Sequence, residues 1–370
     1  MRRARIWIVS PAPWSKGGVA AVTRLLAHSS LRERYELRVI ATYASGSAWT
    51  RSVWALRGWL AVAWRLIASR PDLVHVKVAS RGSFWRKLVV TALCRLARVP
   101  VVVHVHGGGF DTFIEASAPW VHAAARWMIE EAPVAITLSE ARLVRLEPLF
   151  PHARWTVVAN PVDAGALRTL AEERHAARTA PGRARQLLFL GDVLERKGVG
   201  DLLAAVREFP AALAGVRLVI AGTGEIERYR RVAIESGVAD RVAFAGWVGE
   251  AERRSLLVAS DAFVLPSYVE GVPIALLEAM ASGLPSVVTP VGGVLDAAVP
   301  GETSLVVPPG DATALKDALV RLLTESGLAE RLGARAQERA QDFDVEVVAR
   351  QLDAIYRSVL ERPGRSVGTE

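Results

Sequence analysis

The chain has 370 residues, 51% hydrophobic and 23% charged, with a formal net charge of +8. That is core enough for two domains, and it excludes a disordered or low-complexity protein. A single cysteine, Cys94, excludes an internal disulfide and fits a reducing compartment.

The opening MRRARIWIVSPAPW has the basic start of a signal peptide. Its apolar run IWIV is too short for one and reads better as a strand. No uncharged stretch reaches the ~18 apolar residues of a spanning helix. The expected location is therefore the cytoplasm, or the inner face of the cytoplasmic membrane as a peripheral protein. Strand and helix patterns alternate from there. RIWIVS (5–10) leads into a Gly-Gly loop and the helical pattern VAAVTRLLAHS. LRVIAT, LVHVKVA, VVVHVHG, VAITLS and WTVVANP read as the next five strands. LLFLGD, VRLVIAG, RVAFAGW, AFVLPS, PSVVTP and SLVVPP repeat the pattern in the second half. Short apolar runs separated by helices form parallel sheets from βαβ units, so two sets predict two doubly wound α/β domains. The polar, Pro- and Gly-bearing stretch ARTAPGRARQ (177–186) is the predicted join. The expected division is 1–180, 181–343, a last helical segment 344–362 and a polar tail 363–370.

Charge divides unevenly between the halves. Residues 1–180 carry 25 Lys+Arg against 12 Asp+Glu, and residues 181–370 carry 21 against 26, so +13 and −5 make up the +8. Ten of the eleven tryptophans also lie in the first half. Arginine interleaved with tryptophan suits an anionic membrane surface; nucleic acid is the rival partner, but no recognition motif for it is present. Within RSVWALRGWLAVAWRLIASR (51–70), Trp54, Trp59 and Trp64 alternate with Arg51, Arg57 and Arg65. This segment reads as a packed helix, or as one facing a membrane or an acceptor.

Four constellations carry chemistry. In SYVEGVPIALLEAMASGLPSVVTP (267–290), Pro273 suits a first helical position. Glu270 then lies on the loop before the helix and Glu278 two turns in, among apolar neighbours where a carboxylate needs a partner. The free N–H groups of the helix mouth suit an anion. Gly17 and Gly18 follow the first strand and allow close backbone approach, as a tight turn or as a phosphate loop. Lys197, in GDVLERKGVGDLL (191–203), stands after a strand end, either as a surface lysine or as a phosphate ligand. His104 and His106 share a strand face in VVVHVHGGGF, without further residues at metal-ligand spacing. No G-x-G-x-x-G follows a strand, and AGTGEIE (221–227) lacks the third glycine, so a dinucleotide dehydrogenase is disfavoured.

EGVPIALLEAMASGLPSVV, with its Glu-x7-Glu and small-Gly-x-Pro turn, resembles the signature of retaining GT-B glycosyltransferases of family 4, the glycosyl transferases group 1. GSFWRK (82–87) and HGGGFDTF are similar to segments of relatives that build bacterial surface polysaccharides. The resemblance implies two Rossmann-like domains facing across a cleft, the first binding acceptor and the second binding nucleotide-sugar, with the last helix crossing back to the first. It places Glu270 beside the donor sugar and His106 near the reacting centre, both as catalytic residues. It assigns Glu278 to the ribose hydroxyls, the backbone near Val272 and Ile274 to sugar and phosphate, and Val248 to the base. Gly17, Gly18 and Lys197 fall on the diphosphate, and Arg196 is the residue able to replace a family arginine that is Asp192 here. Pro273 stands where relatives often have glycine, which removes one backbone donor. The implied activity is metal-independent, retaining transfer of a sugar from a nucleoside diphosphate to a hydroxyl acceptor. No cofactor is implied, and no Asp-x-Asp pair is evident. The basic, Trp-rich half favours a lipid-linked or membrane-proximal glycan acceptor. The alternatives are a soluble acceptor, or a sugar-nucleotide-binding subunit without turnover.

Overall fold

A computed structural model describes residues 2–178 and 184–361. The chain forms two compact units, one of residues 1–161 together with 345–370 and one of residues 162–344. All twelve apolar runs form strands. The first unit holds β1 (Arg5–Ser10), β2 (Glu36–Ala41), β3 (Leu73–Val78), β4 (Val101–Val105), β5 (Ala135–Thr137) and β6 (Trp155–Val157). They make one parallel sheet in the order β2-β1-β3-β4-β5-β6. The second unit holds β7 (Gln186–Leu190), β8 (Arg217–Ala221), β9 (Val242–Gly246), β10 (Ala262–Leu265), β11 (Ser286–Val288) and β12 (Ser304–Val306). Its sheet is also parallel, in the order β12-β11-β10-β7-β8-β9.

Both orders follow from right-handed βαβ crossovers, and each reverses direction once, beside its first strand. The reversal lies between β1 and β3 in the first sheet and between β7 and β10 in the second. Ligands of such sheets bind outside the carboxyl ends of the strands at that point.

The strand period of two sorts the faces of the first sheet. Val74, Val76 and Val78 of β3 and Val101, Val103 and Val105 of β4 join a core with Trp7, Phe84, Val90 and Cys94. Burial pushes the Cys94 thiol up to about 12, so it packs as an unreactive apolar group. The opposite face carries His75, Lys77 and His104, all buried.

The units change at Pro161 and Val162, ahead of the predicted join at 177–186, of which residues 179–183 lie outside the described residues. The helices Ala164–Arg168 and Leu170–Arg178 pack on the second unit's helices Ile274–Ala281 and Glu250–Ala259. Composition changes at the polar stretch, whereas packing changes some fifteen residues before it, counting from Val162 to Ala177. The final helix, Val345–Leu360, belongs to the first unit. Its Glu346 accepts from the Ser30 N–H, and its Asp353 accepts from the Tyr35 hydroxyl at 2.7 Å and from Arg34 at 3.1 Å. The tail 363–370 lies outside the described residues.

Candidate active site

The reversal point of the second sheet collects the chemistry of that unit. Lys197 ends the short turn Glu195–Lys197 after β7, and Glu270 lies on the loop after β10, the neighbouring strand. Their side chains meet, with Lys197 Nζ 2.5 Å from Glu270 Oε1 and both groups largely buried. The Ser267 hydroxyl donates to the same oxygen at 2.7 Å, while Glu270 Oε2 has no partner among the described residues.

Backbone packing holds this pair in place. The Tyr268 N–H donates to the Arg196 carbonyl at 2.9 Å, tying the β10 loop to the β7 loop. Gly198 lies between them at φ +68°, where an added Cβ would stand 2.0 Å from the Pro266 carbonyl oxygen. Gly292, in the loop after β11, is pressed in the same way against the Glu270 carbonyl, and the Gly293 N–H donates to Gly271 O at 2.8 Å. Three strand-end loops therefore fix one carboxylate and one ammonium at the carboxyl ends of the two central strands.

Pro273 is the N-cap rather than the first helical residue; the helix runs Ile274–Ala281. The Pro273 carbonyl accepts from Leu276 and Leu277, so the N–H groups of Ile274 and Ala275 head the helix with no intrahelical acceptor. The Val272 side chain is buried beside them. Glu278 is half-buried, and its Oε1 lies 3.2 Å from Arg253 Nε on the helix Glu250–Ala259. Arg253 is thus the partner that the apolar surroundings of Glu278 require; it is a residue that sequence reasoning missed. Nothing in its own segment marks it, because the contact joins positions 25 apart on separate helices. The Arg196 guanidinium is 3.3 Å from the Asp192 carboxylate, and both are exposed. Val248 is buried in the loop between β9 and the helix Glu250–Ala259.

In the first unit, Gly17 and Gly18 follow β1 at the reversal point, and Gly17 takes φ +114°, a conformation that favours glycine. It caps the helix Gly18–His28. His106 lies just beyond β4, its ring 4.1 Å from that of His104. Two residues missed in the sequence extend this group. The His75 Nε2 is 3.1 Å from His104 Nδ1, and His75 Nδ1 shares a 2.6 Å hydrogen bond with the Tyr356 hydroxyl. Lys77 pairs in register with His104. The signal was the alternation in LVHVKVA, which puts His75 and Lys77 on one strand face. Burial drives all three histidines well below their usual pKa, with the charge of Lys77 adding to it, so the rings are neutral. Burial also lowers Lys77 to about 7. Lys77 Nζ and His106 Nε2 are buried with no hydrogen-bond partner among the described residues. An unsatisfied buried polar group costs about 1–3 kcal/mol, so each of these two atoms calls for a partner such as a water or a ligand.

No group of three or more His, Cys, Asp or Glu able to hold a metal occurs among the described residues. What the second unit presents is a carboxylate oxygen, an ammonium and a helix mouth, a set able to bind hydroxyls and an anion together.

The comparisons agree with that chemistry. The family described as "Glycosyl transferases group 1" matches residues 171–339, which include Lys197, Glu270 and Glu278. A glycogen synthase of Mycobacterium tuberculosis is 30% identical over 295 residues, 78% of this chain and 69% of that one. Among solved structures, sucrose-phosphate synthase from Thermosynechococcus elongatus superposes with a TM-score of 0.82 at 21% identity, over 96% of this chain and 99% of that one. Alr3699/HepE of Anabaena, solved in complex with UDP-glucose, gives 0.75 at 17% identity over 96% and 99%. The chain is a glycosyltransferase of GT-B fold and belongs to the glycosyl transferases group 1 family.

Proposed function

We propose that the protein is a retaining, metal-independent glycosyltransferase of family 4 that takes its sugar from a nucleoside diphosphate and delivers it to a membrane-proximal hydroxyl acceptor in cell-envelope polysaccharide synthesis. The observation that carries this reading is the Lys197–Glu270 pair held by three strand-end loops, two of them closed by glycine, at the reversal point of the second sheet. A nucleotide-sugar needs a hydroxyl acceptor group next to a diphosphate-binding cation, and the pair supplies both.

In the reaction, the bond between the anomeric carbon and the β-phosphate oxygen breaks, and its electron pair stays on the phosphate. The acceptor oxygen bonds to the anomeric carbon from the same face, and its proton passes to the departing phosphate oxygen. Glu270 Oε2 orients sugar hydroxyls. The remaining Lys197 donors and the N–H groups of Ile274 and Ala275 meet the growing phosphate charge, the role a metal plays elsewhere. Glu278, steadied by Arg253, accepts from the ribose hydroxyls, and the Val248 backbone meets the base. His106, Gly17 and Gly18 are the first unit's share of the machinery, with neutral His106 a donor toward the sugar.

Donor turnover without acceptor tests the site. Across a nucleotide-sugar panel, one donor should be hydrolysed slowly by the native chain and at least about a hundredfold more slowly by Glu270→Ala. Glu278→Ala should weaken binding of the matching nucleotide by roughly 1.5–3 kcal/mol in calorimetry. Undiminished turnover by Glu270→Ala, or a strict need for a divalent metal in EDTA-treated samples, would sink the proposal.

A further inference from the structure

The helix Ala48–Ala68 of the first unit begins at the Ser47 cap and carries three arginines and no acid over 21 residues. One row of its surface is large and apolar: Trp49 is 77% exposed, Leu56 54%, Leu60 60%, Trp64 66% and Ile67 89%. At 100° per residue these five positions fall within an arc of about 80°. The buried positions Ala55, Gly58 and Val62 lie on another side. The tryptophans singled out in the sequence therefore divide. Trp59 turns inward and donates to the Arg86 carbonyl at 3.1 Å, Trp54 packs edge-on against Trp14, and Trp64 faces outward with Trp49.

The flank of the apolar row is basic. A groove of about 290 Å³ runs between the helix and β2, the edge strand, under Trp54, Arg57, Ala61 and Arg65. The Arg57 guanidinium lies 5.9 Å from the Trp54 ring centre and that of Arg65 6.0 Å from the Trp64 ring. Neither makes an ion pair among the described residues. The charge around them is one-sided, since residues 37–110 hold eleven Lys and Arg and one acid, Asp72. Among the described residues no helix is long and apolar enough to cross a membrane.

We propose that this helix is the docking element for an anionic lipid surface, an inference that rests on the membrane-proximal reading above and gives it a location. The helix lies in the plane of the interface. Trp49, Leu56, Leu60, Trp64 and Ile67 enter the acyl boundary, while Arg57 and Arg65 take lipid phosphates at the groove. A helix with tryptophan and leucine on one side and arginine beside them has the form of an interfacial helix. Its lack of any acid removes the repulsion that would oppose a negative leaflet.

The test uses the full chain in sedimentation with phosphatidylcholine vesicles and with equimolar phosphatidylcholine–phosphatidylglycerol vesicles. The native chain should pellet with the anionic vesicles and be released by salt. The combined variant Trp49→Ser/Leu60→Ser/Trp64→Ser should lose at least about tenfold in vesicle affinity. Its thermal midpoint should be unchanged, because the replaced side chains are exposed. Arg57→Gln and Arg65→Gln should each lose roughly fivefold on anionic vesicles only. A native chain that stays in the supernatant, or a serine variant that binds like it, overturns the proposal. So does a native dimer that the serine variant dissolves, or tighter binding to duplex DNA than to anionic vesicles. Donor hydrolysis in the same samples separates this inference from the enzymatic one. Turnover without vesicle binding removes the docking surface alone, and vesicle binding without turnover removes the enzymatic reading alone.

Discussion

Glu270 Oε1 answers both Lys197 and Ser267, and its Oε2 has no partner among the described residues. Removing Lys197 leaves a largely buried carboxylate with one hydroxyl for company, and breaking a buried ion pair from one side costs about 3–5 kcal/mol. Replacing both members removes that penalty. Lys197→Met should therefore lower the urea midpoint more than Lys197→Met combined with Glu270→Gln, and neither should recover transfer. Additive losses around that mutant cycle would mean the two side chains do not support each other. The buried lysines of the first unit make a second prediction. Burial lowers Lys77 and Lys87 each to about 7, against 10.5 when exposed. Between these values the unfolded chain binds more protons than the folded one, so stability rises with pH. Each lysine contributes up to about 1.4 kcal/mol per pH unit in that window. The buried histidines act the same way lower down, with stability lost as pH falls through their unfolded value near 6.5. Tryptophan fluorescence reports mainly the first unit, so urea titrations from about pH 7 to pH 9 should show its midpoint climbing. Lys77→Met should flatten that climb; an equal slope in the variant would show that Lys77 keeps its charge.

At the scale of elements, loops decide where the site residues stand, and glycine decides where the loops can go. Gly198 combines φ +68° with a 2.0 Å approach to the Pro266 carbonyl, whereas Gly237 has almost the same φ, +69°, and open space around it. Gly237→Ala should cost only the left-handed backbone penalty, about 1–2 kcal/mol. Gly198→Ala must in addition push the β10 loop away, moving Glu270 from Lys197. Its thermal midpoint should fall further, and donor affinity should fall with it; equal shifts would show that the loop absorbs the methyl freely. The same contrast explains what the sequence revealed. The twelve strands were legible because each is a short apolar run set between helical or turn patterns, although β2, β6 and β9 are only partly buried. The Glu270–Glu278 segment was legible through a family signature. Arg253 was not, since its meeting with Glu278 exists only after two helices pack. The outward row of Ala48–Ala68 was hidden for a related reason: alternating Trp and Arg mark a helix as unusual, but only the packing of Trp59 toward Arg86 O tells which tryptophans are left facing out.

At the scale of the whole molecule, the two units are built differently along the chain. The second is continuous from Val162 to Asp344, while the first is interrupted by it and takes up the chain again at Val345. The returning helix Val345–Leu360 is part of the first unit's interior, because Tyr356 is fully buried and bonded to His75, and Asp353 is held by Tyr35, Arg34 and Arg357. Without that helix the polar face of the first sheet would lose its cover, and His75 would keep only its contact with His104. A chain ended at Asp344 should therefore lose the stability of the first unit and keep that of the second. Binding stabilises only the state that binds, so the nucleotide that fits the Lys197–Glu270 loops should raise the melting of the second unit in both chains. Calorimetry of the full and shortened chains, with and without that nucleotide, checks both statements at once. An unchanged first transition in the shortened chain would mean that the first sheet is complete without Tyr356. A nucleotide effect lost on shortening would mean that the second unit does not bind donor by itself.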